Sequence, residues 1–105
     1  MGQFAVHKNG NARTRADVPF LLDVQADVLS VLATRVVVPL YRAEALGSKP
    51  MAQLTPVLSF QGKALIAIVP ELAGVPRQAL GPAVGDLSAA RGEIIRAMDL
   101  LLTGF

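Results

Sequence analysis

The sequence predicts an α+β fold, in which a small, curled antiparallel β-sheet or barrel is followed by one C-terminal helix. Short apolar segments separated by turn residues fill residues 3–80, and the hydrophobic spacing becomes helical only after Ser88. Strands followed by a helix, rather than alternating with helices, are typical of this class. With 105 residues, the chain forms one domain, residues 1–105, because it has no room for a second core.

The N-terminal half contains three predicted strands. Residues 3–8 end at the turn signal Asn9-Gly10-Asn11. Residues 20–25 follow Pro19, which suits the position before a strand. Residues 35–42 are apolar and β-branched, but Pro39 has no N–H to donate, so we expect an edge or a bulge there.

The middle of the chain predicts a hairpin. Residues 54–60 and 63–69 flank Gln61-Gly62, a two-residue connection typical of a tight turn. One helical turn is predicted over 43–46, a proline-bounded loop over 70–76 and a short strand over 77–80.

The final stretch predicts a helix that runs to the last residue. Its apolar residues recur at helical spacing: Ile94, Ile95, Met98, Leu101 and Leu102. Ser88 is the expected N-cap, and Asp86 lies well for the helix dipole. We expect Met98 and residues 100–102 to pack in the core and in a dimer interface.

The composition predicts a soluble, cytoplasmic homodimer. The chain is 52% hydrophobic and 17% charged, with a mean hydropathy of +0.48. A domain of this size cannot bury so much apolar surface alone, so we expect a second copy to cover part of it. Cysteine is absent, which fits a reducing compartment. Apolar runs are far shorter than the ~20 residues of a membrane span, and the N-terminus lacks a signal peptide.

Residues able to carry out catalysis are scarce. The single histidine, His7, falls on a predicted strand, where a structural role is expected, and no cysteine could serve as a nucleophile. Asp23 and Asp27 bracket the end of the second strand, where they are expected to end the strand and cap a turn. We therefore expect no catalytic residue, no metal site and no cofactor.

Charge argues against direct nucleic-acid binding. The net charge is only +2, and Lys8, Arg13 and Arg15 cluster in one early loop. Three cations there indicate a solvated face, because a groove binder needs many phosphate contacts.

The whole chain resembles the CcdB toxins of CcdA/CcdB toxin–antitoxin modules. The resemblance rests on segments in the same order along the chain: Gln3-Phe4, LDVQADVL at 22–29, TRVVVPL at 34–40, AGVP at 73–76, DLS at 86–88 and TGF at 103–105. It implies a small SH3-like barrel with a C-terminal helix, assembled as a homodimer. It also implies a toxin that binds the DNA gyrase A subunit and traps gyrase on cleaved DNA. A CcdA-like antitoxin would neutralise it by folding a disordered C-terminal segment around the dimer.

The resemblance also implies the gyrase-binding residues. The family's terminal Trp-Gly-Ile corresponds to Thr103, Gly104 and Phe105, and an Asn one turn upstream corresponds to Asp99. The family's aliphatic pair corresponds to Val28 and Leu29, and Gln3 and Phe4 match residues used nearby. Thr103 offers less contact area than the family's Trp, because a buried aromatic side chain covers about 150–250 Å².

Two alternatives stay open from the sequence. The first is an endoribonuclease like MazF and Kid, which would need His7 to act with Arg13, Arg15 and Arg35. The second is a chromosomal copy that folds and binds antitoxin but no longer poisons gyrase, which Thr103 and Asp99 fit equally well.

Overall fold

The computed structural model describes residues 2–46 and 53–104, which form one antiparallel sheet and one α-helix. The strands are β1 Ala5–Asn9, β2 Phe20–Asp23, β3 Thr34–Arg42, β4 Val57–Phe60, β5 Lys63–Ala67, β6 Ala73–Pro76 and β7 Leu80–Asp86. Short 3₁₀ turns lie at Asp27–Leu29, Ala43–Ala45, Val69–Glu71, Arg77–Ala79 and Ser88–Ala90. The helix α1, Arg91–Thr103, follows all the strands, so the predicted α+β class is confirmed.

The sheet is curled into a half-barrel around the long strand β3. Its order is β4-β5-β3-β2-β1-β7, and β6 also pairs with β3. The first half of β3 pairs with β6, and its last residues pair with β5, while β2 lies along its other side. Strand β3 therefore pairs directly with β2, β5 and β6.

Pro39 lies inside the central strand, so the expectation of an edge or bulge there was wrong. Its carbonyl accepts a hydrogen bond from the Ile68 N–H at 3.1 Å, on the side of β3 opposite β2. On that side, β6 pairs only as far as Val37 and β5 begins at Leu40. The missing N–H of Pro39 therefore falls where β3 changes partners, and no ladder bond is lost.

The segment before the helix differs most from the prediction. Residues 70–76 were expected to form a loop, but Ala73–Pro76 is strand β6. Residues 77–80 were expected to form a strand, but Arg77–Ala79 is a 3₁₀ turn. Strand β7 was not predicted, because Gly81, Pro82 and Gly85 are poor strand formers. It pairs with β1 at the end of the strand order, with register shifts, in the setting where proline and glycine are tolerated.

The predicted hairpin and helical turn are confirmed. Gln61 (φ 53°) and Gly62 (φ 78°) both adopt positive φ, as a type I′ turn between β4 and β5 requires. The predicted turn over 43–46 is the 3₁₀ turn Ala43–Ala45. The expected N-cap was wrong: Ser88 starts a 3₁₀ turn, and its N–H donates to Asp86 Oδ1 at 2.7 Å.

The helix packs against the core as far as Met98, whereas its last turn is exposed. Ile94 and Ala97 are fully buried in the core with Val6, Leu22 and Val38. Leu101 is 36% exposed and Leu102 is 69% exposed, so neither lies in the core of the single chain, and the expected dimer interface stays a prediction. Among the described residues, no helix is long and apolar enough to cross a bilayer.

Candidate docking surface

The predicted site residues fall into two groups in the structure. Gln3, Phe4, Val28 and Leu29 lie at or beside the β2–β3 loop, residues 24–33, and Asp99, Thr103 and Gly104 lie at the end of α1. Within the described residues, no hydrogen bond joins the two groups. Phe105, the remaining predicted residue, lies outside the described residues.

The β2–β3 loop exposes a cluster of apolar side chains. Val28 is 83% exposed and Val31 is 87% exposed, and Leu29 and Leu32 beside them are also exposed. Val31 and Leu32 are not among the predicted site residues. The signal that could have found them is the run VLSVL, which is apolar yet lies between two strands. We call these four residues, Val28, Leu29, Val31 and Leu32, the apolar loop surface.

Gln3 attaches the N-terminus to this loop. Its backbone N–H donates to Asp27 Oδ1 at 2.7 Å, and its side-chain Nε2 donates to the Val24 carbonyl at 3.3 Å. Asp27 therefore accepts from a distant backbone amide as well as starting the turn that carries Val28 and Leu29.

Phe4 lies in the core, not on the surface of the single chain. It has a positive φ of 71°, which is uncommon for a residue with a bulky side chain. Its N–H donates to the Asp23 carbonyl at 2.6 Å, and its carbonyl accepts from Leu87 N–H at 2.8 Å. The guanidinium carbon of Arg91 lies 5.9 Å from the centre of its ring. Phe4 thus ties the base of the loop to the start of the helix.

A buried polar network supports the loop from below. Arg35 Nε donates to Asp23 Oδ2 at 2.8 Å, and Asp23 Oδ1 accepts from the Gln25 N–H at 3.0 Å. The Gln25 side chain donates to the Leu29 carbonyl and accepts from the Val36 N–H, both at 3.0 Å. The expectation that Asp23 caps a turn is confirmed, but its ion pair with Arg35 was not predicted. The same expectation for Asp27 was wrong, because its carboxylate accepts from the Gln3 N–H and does not cap the turn that it starts.

The end of α1 is exposed and has a defined cap. Gly104 adopts the left-handed conformation (φ 81°), and its N–H donates to the Leu100 carbonyl at 3.0 Å. This is the conformation that glycine commonly adopts directly after the last residue of a helix. The Thr103 hydroxyl donates to the Asp99 carbonyl at 2.7 Å. Asp99 itself is exposed, and it lies on the same face of the helix as Thr103, four residues further along.

The residues needed for a ribonuclease are not brought together. His7 is buried on β1, where its ring Nδ1 lies 2.9 Å from the Gly81 carbonyl, and its Nε2 has no partner among the described residues. Arg35 is buried against Asp23, whereas Arg13 and Arg15 are exposed on the loop between β1 and β2. This set therefore has no common solvent-facing site.

A shallow cleft of about 460 Å³ lies elsewhere on the sheet. Phe20, Arg42, Glu44 and Lys63 are among its lining residues. It shares no residue with the predicted site. We therefore leave the cleft aside and call the apolar loop surface and the end of α1, residues 99–104, together the candidate docking surface.

A comparison with known protein families gives a match that spans nearly the whole chain. A family model described as CcdB protein matches residues 3–104. The match runs from Gln3, at the base of the loop, to the Gly104 cap, and so includes every predicted site residue except Phe105. The chain therefore belongs to the CcdB protein family, the toxins of toxin–antitoxin modules.

Proposed function

We propose that this protein is a non-catalytic poison of DNA gyrase. It binds the gyrase A subunit through the apolar loop surface and the end of α1, and it traps the gyrase–DNA cleavage complex. The observation that carries the proposal is the 83% exposure of Val28, a residue that the resemblance matches to the family's aliphatic gyrase-binding pair. An apolar side chain left in water on a supported loop is a favourable contact for a protein partner.

The apolar loop surface compensates for the small side chain of Thr103. Interface energy concentrates in a few large side chains that exclude water, and a threonine supplies little of it. Val31 and Leu32 continue the surface begun by Val28 and Leu29, so four apolar side chains lie within five positions. We infer that this chain takes more of its gyrase affinity from the loop than the family pattern alone implies.

Antitoxin binding and dimerisation belong to the same proposal. Leu101 and Leu102 are exposed on the single chain, which supports a homodimer that covers them. A CcdA-like antitoxin neutralises the toxin by folding its disordered C-terminal segment around that dimer. The protein acts in the cytoplasm, where gyrase is found.

Direct binding to a gyrase A fragment tests the proposal. Val28→Asp introduces a charge into the apolar loop surface, and a second variant lacks residues 103–105. Both are expected to weaken binding at least about tenfold while the circular dichroism spectrum and melting temperature stay near those of the unaltered protein. Val57→Asp is the matched control, because Val57 is 54% exposed on β4 and is not one of the residues of the candidate docking surface. Equal loss in all three variants would contradict a specific surface.

A cleavage assay separates binding from poisoning. With gyrase, plasmid and ATP, the protein is expected to increase cleaved DNA recovered after denaturation. A protein that binds a CcdA-like peptide but neither binds gyrase A nor increases cleavage would instead be a copy that no longer poisons gyrase.

A further inference from the structure

Arg77 links the turn after β6 to the β2–β3 loop. Its side-chain Nη2 donates to the carbonyl oxygens of Ser30 and Leu32, the latter at 2.7 Å. Its own backbone N–H donates to the Ala33 carbonyl at 2.9 Å. One residue therefore satisfies three carbonyl groups in the part of the loop that carries Val31 and Leu32.

The loop has little else to fix this part of its shape. All residues from 26 to 34 are exposed, so burial of their own side chains does not hold the loop. Gln3 and Gln25 bond to the first half, at Asp27 and Leu29. In the second half, Leu32 N–H donates to the Leu29 carbonyl at 3.0 Å, which is a local turn bond. Among the described residues, Arg77 is the side chain that ties this second half to the sheet.

We propose that Arg77 is a positioning residue for the docking surface. Its guanidinium holds the carbonyl groups of Ser30 and Leu32 inward, so that the exposed side chains of Val31 and Leu32 are held in a binding-ready arrangement. This inference rests on the proposed function, because it names the residue that prepares the gyrase-binding surface. A loop that is competent for only a fraction of the time binds more weakly by that fraction.

Arg77→Ala tests the proposal with two separate measurements. Hydrogen–deuterium exchange of the amides of residues 29–33 is expected to speed up about tenfold, because the loop opens more often. Affinity for the gyrase A fragment is expected to fall by a similar factor, since binding pays for the lost order. Arg77→Lys keeps the charge but not the planar fork of the guanidinium. In both measurements it is expected to lie between Arg77→Ala and the unaltered protein. Arg13→Ala is the matched control, because Arg13 is exposed on another loop.

Each pattern of results decides the question. Faster loop exchange together with weaker binding, at an unchanged melting temperature, supports positioning. Weaker binding with unchanged exchange would make Arg77 a direct contact and overturn the proposal, as would faster exchange with unchanged affinity. If the unaltered protein fails to bind gyrase A, the proposed function fails, whereas unchanged exchange in Arg77→Ala would show separately that Arg77 does not hold the loop.

Discussion

Arg35 Nε and Asp23 Oδ2 form an ion pair 2.8 Å apart, and both side chains are buried beneath the β2–β3 loop. The two residues lie on β3 and at the end of β2, so the pair forms only when these strands align. Asp23 also accepts the Gln25 N–H, and Gln25 in turn bonds Leu29. The pair is therefore the lowest layer of the support for the docking surface.

Removing Arg35 alone should be strongly destabilising. Arg35→Met leaves the Asp23 carboxylate buried without its cation, and we expect the free energy of unfolding to fall by about 3–5 kcal/mol. The double variant Asp23→Asn with Arg35→Met removes the stranded charge but keeps an oxygen for the Gln25 N–H. We expect the double variant to be more stable than the single variant, as measured by urea denaturation. If the double variant is less stable than Arg35→Met, an unpaired buried carboxylate at Asp23 is not the cause of the lost stability.

Gly85 is expected to tolerate no side chain. A Cβ atom at this position would lie 2.5 Å from Cε1 of Phe60, which is packed edge-to-face against Phe20 in the core. Gly85→Ala should therefore lower the free energy of unfolding by about 1–3 kcal/mol.

Gly92→Ala is the control for this steric argument. Gly92 lies in the first turn of α1, where the nearest atom to a new Cβ is Arg96 Nη2 at 3.9 Å. Because alanine favours a helix over glycine, this variant should be as stable as the unaltered protein, or more stable by up to ~1 kcal/mol. Equal stability of both variants in thermal melts would mean that the Phe60 ring moves freely.

Tyr41 should ionise only at unusually high pH. Its hydroxyl donates to Glu71 Oε1 at 2.6 Å, and this hydrogen bond, with burial and the charges of Glu71 and Asp17, raises the pKa of Tyr41 from 10.0 to about 12. A folded-state pKa above the unfolded value contributes stability that is fully present below pH 10 and is lost as the pH rises toward 12.

Ultraviolet titration can follow this group directly, because the chain contains one tyrosine and no tryptophan. Glu71→Ala should return the pKa of Tyr41 toward its ordinary value, whereas Glu93→Ala on the helix should leave it unchanged. A phenol that titrates at its ordinary pKa in the unaltered protein would contradict the hydrogen bond.

The sequence was most informative where local chemistry decides the structure. Gln61-Gly62 predicts its hairpin because the turn needs two positive φ angles, and the spacing from Ile94 predicts the helix. Strand β7 could not be predicted, because its residues have weak strand propensity and are held by pairing with β1, far away in the chain. Long-range pairing outweighs local propensity there.

The candidate site shows the same division. The motif that includes Asp23 and Gln25 could be recognised from the sequence, but its physical role depends on Arg35 from the next strand. Val31 was not predicted as a site residue, although the run VLSVL lies between two predicted strands, because the sequence does not show whether an apolar side chain in a loop is buried or exposed; in the structure Val31 is 87% exposed. Arg77 was predicted to lie in a strand, where its bonds to Ser30 and Leu32 could not be foreseen.

Leu102 should decide whether the protein forms a dimer through the face of α1 that carries this side chain. It is 69% exposed, although the helical spacing marks it as part of the apolar stripe. If a second copy covers it, Leu102→Asp loses the burial of a leucine, worth about 1.5–3 kcal/mol, and adds a charge to the interface. The dimer dissociation constant, measured by sedimentation equilibrium, should then rise at least about tenfold.

Val31→Asp makes the same change from an apolar to a charged side chain, but on the other surface, and it should affect gyrase binding instead of dimerisation. Val31 is 87% exposed on the β2–β3 loop, which we assign to gyrase binding, so this variant should remain a dimer but bind the gyrase A fragment more weakly. If Val31→Asp is monomeric and Leu102→Asp is dimeric, the β2–β3 loop forms the dimer interface and Leu102 belongs to the gyrase-binding surface. An unaltered protein that sediments as a monomer at every concentration would instead leave Leu102 to a different partner, because the part of the chain that the structure describes leaves it 69% exposed.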